Sequence, residues 1–216
     1  MYLHDTIAAI ATPTGRGGIG IIRISGDKAL DIAKAIFTFG GKDKDTFKDR
    51  YFYYGWIKDS DNITIDEVLL VYMRAPRSYT TEDIIEIHCH GGMIPMREIL
   101  KEVIKKGARM AEPGEFTKRA FLNGRIDLAQ AEAVMDLISA KNDMHAKASV
   151  DQMEGKLSGH IRIMREELLR HMAYIEVTID YPEEDVDDVD IDSFKAEISE
   201  IAYNIEELIK TAEQGK

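Results

Sequence analysis

The sequence predicts an α+β protein in which a mixed α/β domain is followed by an incomplete α-helical bundle. Up to about residue 112, segments with the two-residue period of strands alternate with segments of helical period, whereas from Glu115 onward the apolar pattern is almost purely helical. A chain of 216 residues is long enough for one large or two small domains. We place the domains at residues 1–118 and 119–216.

The first two strands flank a glycine-rich loop. Ile7–Ala11 and Ile19–Ile24 are rich in isoleucine and are bounded by breakers, which is typical of strands. A helix is predicted from about Asp27, with apolar residues on one side at Leu30, Ala33, Ile36 and Phe37. Residues 40–49 are polar and are predicted to form a loop.

Three further strands and a second helix complete the first domain. Aromatic and β-branched residues with a period of two predict strands at Tyr51–Ile57, Thr64–Met73 and Ile84–Cys89. Apolar residues at helical spacing predict a helix at Met93–Lys106, for which the following glycine is a natural end. Arg109–Glu112 is predicted to return as a short strand.

The rest of the chain predicts helices with apolar stripes. Asp127 and Gln130 have the spacing of a capping box and open a helix with Val134, Leu137 and Ile138 on one stripe. Two longer stripes follow, the first at Leu157, Ile161, Met164, Leu168, Met172 and Ile175, and the second at Phe194, Ile198, Ile201, Ile205, Leu208 and Ala212. Since three such stripes cannot all face water, they should pack with one another or with helices outside this sequence.

The loop at residues 15–20, GRGGIG, is the first candidate site. It fits the dinucleotide-binding pattern GxGxxG, but that fingerprint requires a helix to follow, and Ile19 onward has the pattern of a strand. A structural tight turn and a loop that approaches a ligand closely both remain possible. In the second case Gly18 and Gly20 are candidate binding residues.

The segment Ile84–Gly92 is the second candidate site. On a strand, Glu86, His88 and His90 share one face, while the single cysteine, Cys89, lies on the apolar face and is a poor candidate nucleophile. Three interpretations are open for the polar face: a metal site, a pocket in which Glu86 accepts two parallel hydrogen bonds, or an ion pair with Arg23 of a neighbouring strand.

Composition limits the kinds of partner. The chain has 28 basic and 39 acidic residues, a net charge of −11, which argues against a large phosphate-binding surface of its own. If RNA is bound, a partner should supply much of the contact.

No apolar run approaches the ~20 residues of a membrane span, and one cysteine fits a reducing cytoplasm. The acidic residues 180–192 lack the glycine and terminal glutamate of an EF-hand loop and are predicted to form a solvated connector.

Four blocks in order closely resemble one protein family. They are DTIAAIATPTGRGGIGIIRISG (5–26), SYTTEDIIEIHCHGG (78–92), PGEFTKRAFLNGRIDLAQAEAVMDLI (113–138) and DYPEED (180–185). The resemblance is to MnmE, also called TrmE, the tRNA-modification GTPases that act on the wobble uridine. One departure is Thr81, where the family usually has glycine, and this puts the local turn geometry in doubt.

The resemblance implies a fold and a ligand. It implies an N-terminal folate-binding domain, similar to those of one-carbon enzymes, that also forms a homodimer, followed by the first part of a helical domain. The family's contacts to a 5-formyl-tetrahydrofolate-type cofactor fall on Arg23, Glu86 and Arg125. Glu86 would hold the pterin edge, and the two arginines would meet carbonyl or carboxylate oxygens. We add Thr80, from the second block, to the candidate binding residues, along with the two loop glycines named above.

The resemblance also implies a role and partners. The leading hypothesis is the cofactor-binding module of a cytoplasmic tRNA wobble-uridine modification enzyme, which works with an FAD-dependent partner protein and meets tRNA together with that partner. One alternative is a non-catalytic dimerisation scaffold. Another is a metal-dependent hydrolase that uses Glu86, His88 and His90.

The family's GTPase chemistry is not expected in this sequence. The sequence contains no GxxxxGK[ST] motif, and Gly215 and Lys216 stand where the family's GTPase domain would begin, so we expect a fragment or truncated product. GTP, Mg²⁺ and K⁺ would bind only in that further domain. We therefore expect no guanine-nucleotide binding by the purified 216-residue chain in equilibrium dialysis with labelled GTP, run beside a P-loop GTPase as positive control. Binding above background would contradict this.

Overall fold

The computed structural model describes residues 5–13, 15–41, 46–180 and 191–214. The chain divides into two compact units, Met1–Val134 and Met135–Lys216. The strands are β1 Ile7–Ile10, β2 Ile19–Ser25, β3 Phe37–Phe39, β4 Phe52–Lys58, β5 Thr64–Met73, β6 Ile84–His90 and β7 Arg109–Met110. The helices are α1 Ala29–Ile36, α2 Met93–Lys105, α3 Glu115–Leu122, α4 Leu128–Ser139, α5 Asp143–Met153, α6 Lys156–Asp180 and α7 Ile191–Gln214. The predicted α+β class, a mixed domain followed by helices, is confirmed.

The first unit contains a seven-stranded sheet in the order β3-β4-β5-β6-β2-β1-β7. All neighbouring pairs are antiparallel except the parallel pair β1 and β7. The central pair is β2 and β6, in whose register Arg23 lies opposite Glu86. The five longer strands lie within one residue of their predicted bounds. For β4, β5 and β6 the two-residue period gives these bounds, because the alternation reflects one buried and one polar face.

The core lies between one face of the sheet and helices α1 and α2. Ile22 and Ile24 of β2 and Ile85 and Ile87 of β6 are fully buried there. Each fully buried isoleucine contributes about 1.5–3 kcal/mol relative to an exposed one, so the orientation of both strands is strongly specified. Their intervening residues therefore point to the opposite face, where Arg23 and Glu86 lie.

Phe37 was predicted on the apolar side of the first helix, and this was wrong. The helix ends at Ile36, and Phe37 begins β3, pairing with Ile57 of β4. A Cβ atom built on Gly55 would lie 2.2 Å from the carbonyl oxygen of Thr38, so the glycine in β4 lets the two strands approach. The strand therefore depends on a partner that is distant in sequence.

The helical part of the chain begins with a confirmed capping box. The Asp127 amide donates to Gln130 Oε1 at 3.0 Å, and the Gln130 amide donates to Asp127 Oδ1 at 2.9 Å. Two short helices, α3 and α5, were not indicated as separate elements. Many residues of the predicted stripes are partly exposed, whereas Met164 and Ile201 are buried. Most of the predicted acidic connector lies outside the described residues, which exclude 181–190.

Within the described part of the chain, no helix is long and apolar enough to cross a membrane.

A charged network joins the beginning of the chain to α3. Arg119, whose side chain is 4 % exposed, donates to Asp5 Oδ1 at 2.6 Å, to Glu115 Oε1 at 3.1 Å and to Glu82 Oε1 at 3.1 Å. Arg109 also donates to Asp5 and Glu115, each at 2.7 Å. A buried guanidinium is tolerated because its donors are satisfied by carboxylates. The hydrogen bond from Arg109 is the main reason that the pKa of Glu115 falls to about 2.

This network makes the stability of the first unit sensitive to acid. A carboxyl group with a lowered pKa stabilises the fold fully above its unfolded pKa, about 4.5, and that stabilisation is lost as the pH falls toward 2. We expect Glu115→Gln to lower the free energy of unfolding by roughly 1–3 kcal/mol at pH 7, and by much less at pH 3. Urea titrations followed by the fluorescence of Trp56, the single tryptophan, measure this.

Glu154→Gln is the matched control, since that side chain is 62 % exposed. It should leave the unfolding curve unchanged at both pH values. Equal losses for Glu115→Gln at pH 7 and pH 3 would refute the network's role in acid sensitivity.

Candidate functional site

Two central strands bring Arg23 and Glu86 together on the sheet face opposite α1 and α2. Arg23 Nε and Nη2 both donate to Glu86 Oε1, at 2.8 and 2.7 Å. The side chains are 29 % and 15 % exposed, so the pair lies partly buried but open on one side. Of the three interpretations of this strand, the ion pair is therefore present in the structure, and the other carboxylate oxygen, Oε2, points along β6 toward His88.

Aromatic rings join Arg125 to this pair. Arg23 Cζ lies 5.6 Å from the ring centroid of Phe116 in α3 and 5.8 Å from that of Tyr79. Arg125 Cζ lies 4.9 Å from the centroid of the same Tyr79 ring. Both distances to Tyr79 are within the range of cation–π attraction. The structure thus links three residues that are far apart in sequence: Glu86 pairs with Arg23, and Arg23 and Arg125 both lie near the ring of Tyr79.

Thr80 lies beside this group but faces inward. Its side chain is fully buried, and its hydroxyl is 2.6 Å from Ser25 Oγ. Its carbonyl oxygen accepts a hydrogen bond of 2.6 Å from Asn123 Nδ2. In this arrangement Thr80 holds the loop in place rather than presenting its hydroxyl to a ligand. The next residue, Thr81, has φ of 63°, a left-handed conformation that disfavours a β-branched side chain.

The two candidate glycines of the loop have different surroundings. Gly20 is buried, and a Cβ atom there would lie 2.3 Å from Met96 Sδ, so this glycine allows α2 to pack against β2. Gly18 is exposed, and its carbonyl oxygen accepts from the Gly91 amide at 3.4 Å. Strand β2 follows the loop directly, without the helix that a dinucleotide fingerprint needs.

A groove lies on the same face of the sheet beside His88, the residue that Glu86 Oε2 approaches. It has a volume of about 350 Å³ and is lined by Gly18, Ile19, Tyr54, Glu67, Val68, Leu69, His88, Cys89 and His90. Several apolar side chains of this face are exposed to a third or more of their surface: Ile19, Phe52, Tyr54 and Leu69. We call this set the open sheet face. Exposed apolar side chains grouped on one face of a sheet are a candidate interaction surface.

The two histidines of β6 are each engaged with a different carboxylate. His88 Nε2 is 3.4 Å from Glu86 Oε2, and His90 Nδ1 is 2.7 Å from Asp66 Oδ1. The hydrogen bond to Asp66 raises the pKa of His90. Among the described residues, no group of three or more His, Cys, Asp or Glu side chains could hold a metal ion. The described geometry thus gives no support to the metal-dependent hydrolase.

Cys89 lies on the core face as predicted. It is 4 % exposed, and its thiol donates to the Gly20 carbonyl oxygen at 3.4 Å. Burial raises the pKa of this thiol to about 11, so very little thiolate forms near neutral pH. The thiol therefore packs in the core of the sheet and is a poor nucleophile.

Sequence reasoning missed the aromatic residues of the site. Tyr79 and Phe116 both lie within blocks that carry the family resemblance, yet neither has a periodicity or a charge that singles it out. Their role depends on the approach of a loop and a helix to β2, which the local pattern does not contain. The one available signal was the position of Tyr79 next to the candidate residue Thr80.

Comparison with known proteins gives matches along the chain. Residues 6–125 match the family model described as "GTP-binding protein TrmE N-terminus", and residues 128–216 match "MnmE helical domain". The chain is 54 % identical over 218 residues to the tRNA modification GTPase MnmE of Alkaliphilus metalliredigens. It is 52 % identical over 217 residues to the proteins of the same name from Clostridioides difficile and Acetivibrio thermocellus. Each alignment covers 100 % of this chain and 47 % of the relative, so the chain spans about half the length of the curated relatives it matches.

Proposed function

The chain belongs to the MnmE (TrmE) family of tRNA modification GTPases, and from that premise we propose that it binds a reduced folate of the 5-formyl-tetrahydrofolate type. The observation that supports this proposal is that Arg23 pairs with Glu86 and shares the ring of Tyr79 with Arg125. When bound, the folate would supply the one-carbon unit for modification of the wobble uridine of tRNA. The chain's own residues bind and orient it.

The donors and acceptors of the site fit the chemistry of a folate. A carboxylate can accept two parallel hydrogen bonds from the N–H groups of an aminopyrimidine edge. In Glu86 only Oε1 contacts Arg23, so the carboxylate is not fully occupied by the arginine. Arg23 donates Nε and Nη2 to Glu86, so Nη1 is the nitrogen with which it would meet a ligand oxygen. Arg125 is exposed and cationic, as a partner for the folate carboxylates should be.

We assign the folate-binding and dimerising part to residues 1–118, with Arg125 contributed from the start of the helical part at 119–216. The open sheet face is the surface proposed for the homodimer. Helices α1 and α2 cover only the opposite face of the sheet, and a second copy of this chain would remove the exposed apolar side chains from water.

The remaining roles follow from family membership. The folate module would act with an FAD-dependent partner protein in the cytoplasm, and tRNA would be bound together with that partner. The net charge of −11 supports this division, because an acidic chain is poorly suited to hold a polyanion alone. GTP, Mg²⁺ and K⁺ would be bound by the GTPase domain of the family.

Glu86→Gln tests the folate site. The substitution replaces an acceptor oxygen with an N–H donor that would face a ligand N–H. Loss of a charge-assisted hydrogen bond and burial of an unsatisfied donor cost roughly 2–4 kcal/mol, so affinity for 5-formyl-tetrahydrofolate should fall about 30- to 1,000-fold. Isothermal titration calorimetry at high protein concentration measures this.

The control is Glu98→Gln, on the exposed side of α2, which should leave the affinity unchanged. Without ligand, Glu86→Gln should unfold within about 1 kcal/mol of the natural chain, because the amide oxygen still accepts from Arg23 and the pair is partly exposed. Unaltered folate affinity in a folded Glu86→Gln variant would refute the proposed site.

Leu69→Asp tests the homodimer. Leu69 is 45 % exposed at the middle of the open sheet face, and a carboxylate buried there without a partner strongly disfavours association. We expect the dimer dissociation constant to rise by about 100-fold or more in sedimentation equilibrium. Ile94→Asp, at a side chain that is 69 % exposed on α2, should leave it unchanged. A natural chain that remains monomeric at high concentration would count against this part of the proposal.

A further inference from the structure

Tyr79 is the contact that the two arginines of the site share. Its ring lies 5.8 Å from Arg23 Cζ and 4.9 Å from Arg125 Cζ. Arg23 has two other anchors, the carboxylate of Glu86 and the ring of Phe116. Arg125 is exposed and follows a turn at Gly124, whose φ is 73°, so the tyrosine ring is the described contact that orients its guanidinium.

The loop that carries Tyr79, residues 78–83, is anchored at Thr80 and at Glu82. The buried hydroxyls of Ser25 and Thr80 lie 2.6 Å apart, and Ser25 Oγ also donates to Glu82 Oε2 at 2.6 Å. Arg119 Nη1 donates to both carboxylate oxygens of Glu82, at 3.1 and 3.3 Å. These bonds join the loop to β2 and to α3, the two elements that carry Arg23 and Phe116.

The hydroxyl of Tyr79 adds a further restraint. It lies 2.9 Å from Thr117 Oγ1 in α3, which holds the far end of the ring. A ring fixed at its backbone by the loop and at its hydroxyl by α3 has little freedom to rotate. Its position is therefore set before any ligand arrives.

We propose that Tyr79 is a positioning residue that holds the guanidinium groups of Arg23 and Arg125 at a set separation for an anionic ligand, and that Glu82 fixes Tyr79 by anchoring its loop. The proposal rests on the proposed folate site for the identity of the ligand. Preorganisation of two cationic side chains lowers the entropy lost when a carboxylate-bearing ligand is bound. Tyr79 thus acts on affinity through the arginines.

A double-mutant cycle separates this role from a general structural one. Tyr79→Leu keeps an apolar side chain but removes the aromatic face, and we expect it to weaken binding of 5-formyl-tetrahydrofolate by about 5- to 10-fold. Arg125→Gln should weaken it by a similar factor. Because both changes affect the same guanidinium, their effects on affinity should not be independent. The loss of affinity in the double variant should be at least about threefold smaller than the product of the two single losses. Multiplicative losses, or unchanged affinity in Tyr79→Leu, would overturn the proposal.

One variant is a comparison at the same position and one is a control. Tyr79→Phe keeps the ring but removes its contact with Thr117, so it should weaken folate binding by less than Tyr79→Leu does. Tyr203→Leu changes an exposed tyrosine of α7, 59 % accessible, and should have no effect on affinity.

A measurement without ligand distinguishes this proposal from the folate proposal. The ring current of Tyr79 should displace the Nε–Hε NMR signal of Arg125. Tyr79→Leu should return that signal toward the position of an exposed arginine, whereas Tyr79→Phe, which keeps the ring, should shift it less. Glu82→Gln weakens the loop anchors without altering the ring, and it should shift the Arg125 signal in the same direction. This variant replaces Tyr79→Leu in the test if Tyr79→Leu does not fold. An Arg125 signal that is the same in all variants would overturn the positioning role. Absence of folate binding by the natural chain would instead refute the proposed function and leave this result standing.

Discussion

The antiparallel pairing of β2 with β6 is the contact on which the rest of the first unit depends. Four isoleucines of these strands, Ile22, Ile24, Ile85 and Ile87, are buried under α1 and α2. A slip of one residue in either strand would turn its isoleucines to the other face and bring its polar residues into the core. Hydrophobic burial therefore determines the register, and the register places Arg23 opposite Glu86. The polar site is a consequence of the apolar core on the reverse side of the same strands.

The charged network around Arg119 connects this sheet to the elements that complete the site. Arg119 bonds to Asp5 before β1, to Glu115 within α3, and to Glu82 in the loop before β6. Such a network contributes little net stability compared with an apolar cluster of similar volume, but it defines where each of its members must lie. Here it brings α3 and the loop to the same side of β2. Tyr79 and Phe116 reach Arg23 for this reason.

The two faces of the sheet serve different purposes. One face is covered by helices and stabilises the fold, whereas the other combines an ion pair, aromatic rings and exposed apolar side chains such as Phe52 and Leu69. Polar groups that lie partly buried beside apolar surface are suited to bind a flat, polar ligand with charged groups at one end. The thiol of Cys89 is buried, and His88 and His90 contact different carboxylates. These features give no support to nucleophilic or metal chemistry.

The sequence by itself determined the strands β1, β2, β4, β5 and β6, helix α2 and the capping box at Asp127. Each of these follows from a local period, an isoleucine-rich run or a short motif. The sequence also determined that Arg23 and Glu86 lie on the polar faces of their strands. Only the tertiary structure decided that these two residues pair, that Phe37 leaves the helix to join β4, and that Arg23 and Arg125 both lie near the ring of Tyr79. A period describes which way a side chain points from its own element. Which distant side chain it meets depends on sheet order, register and loop anchoring, which arise from long-range packing and leave no local pattern.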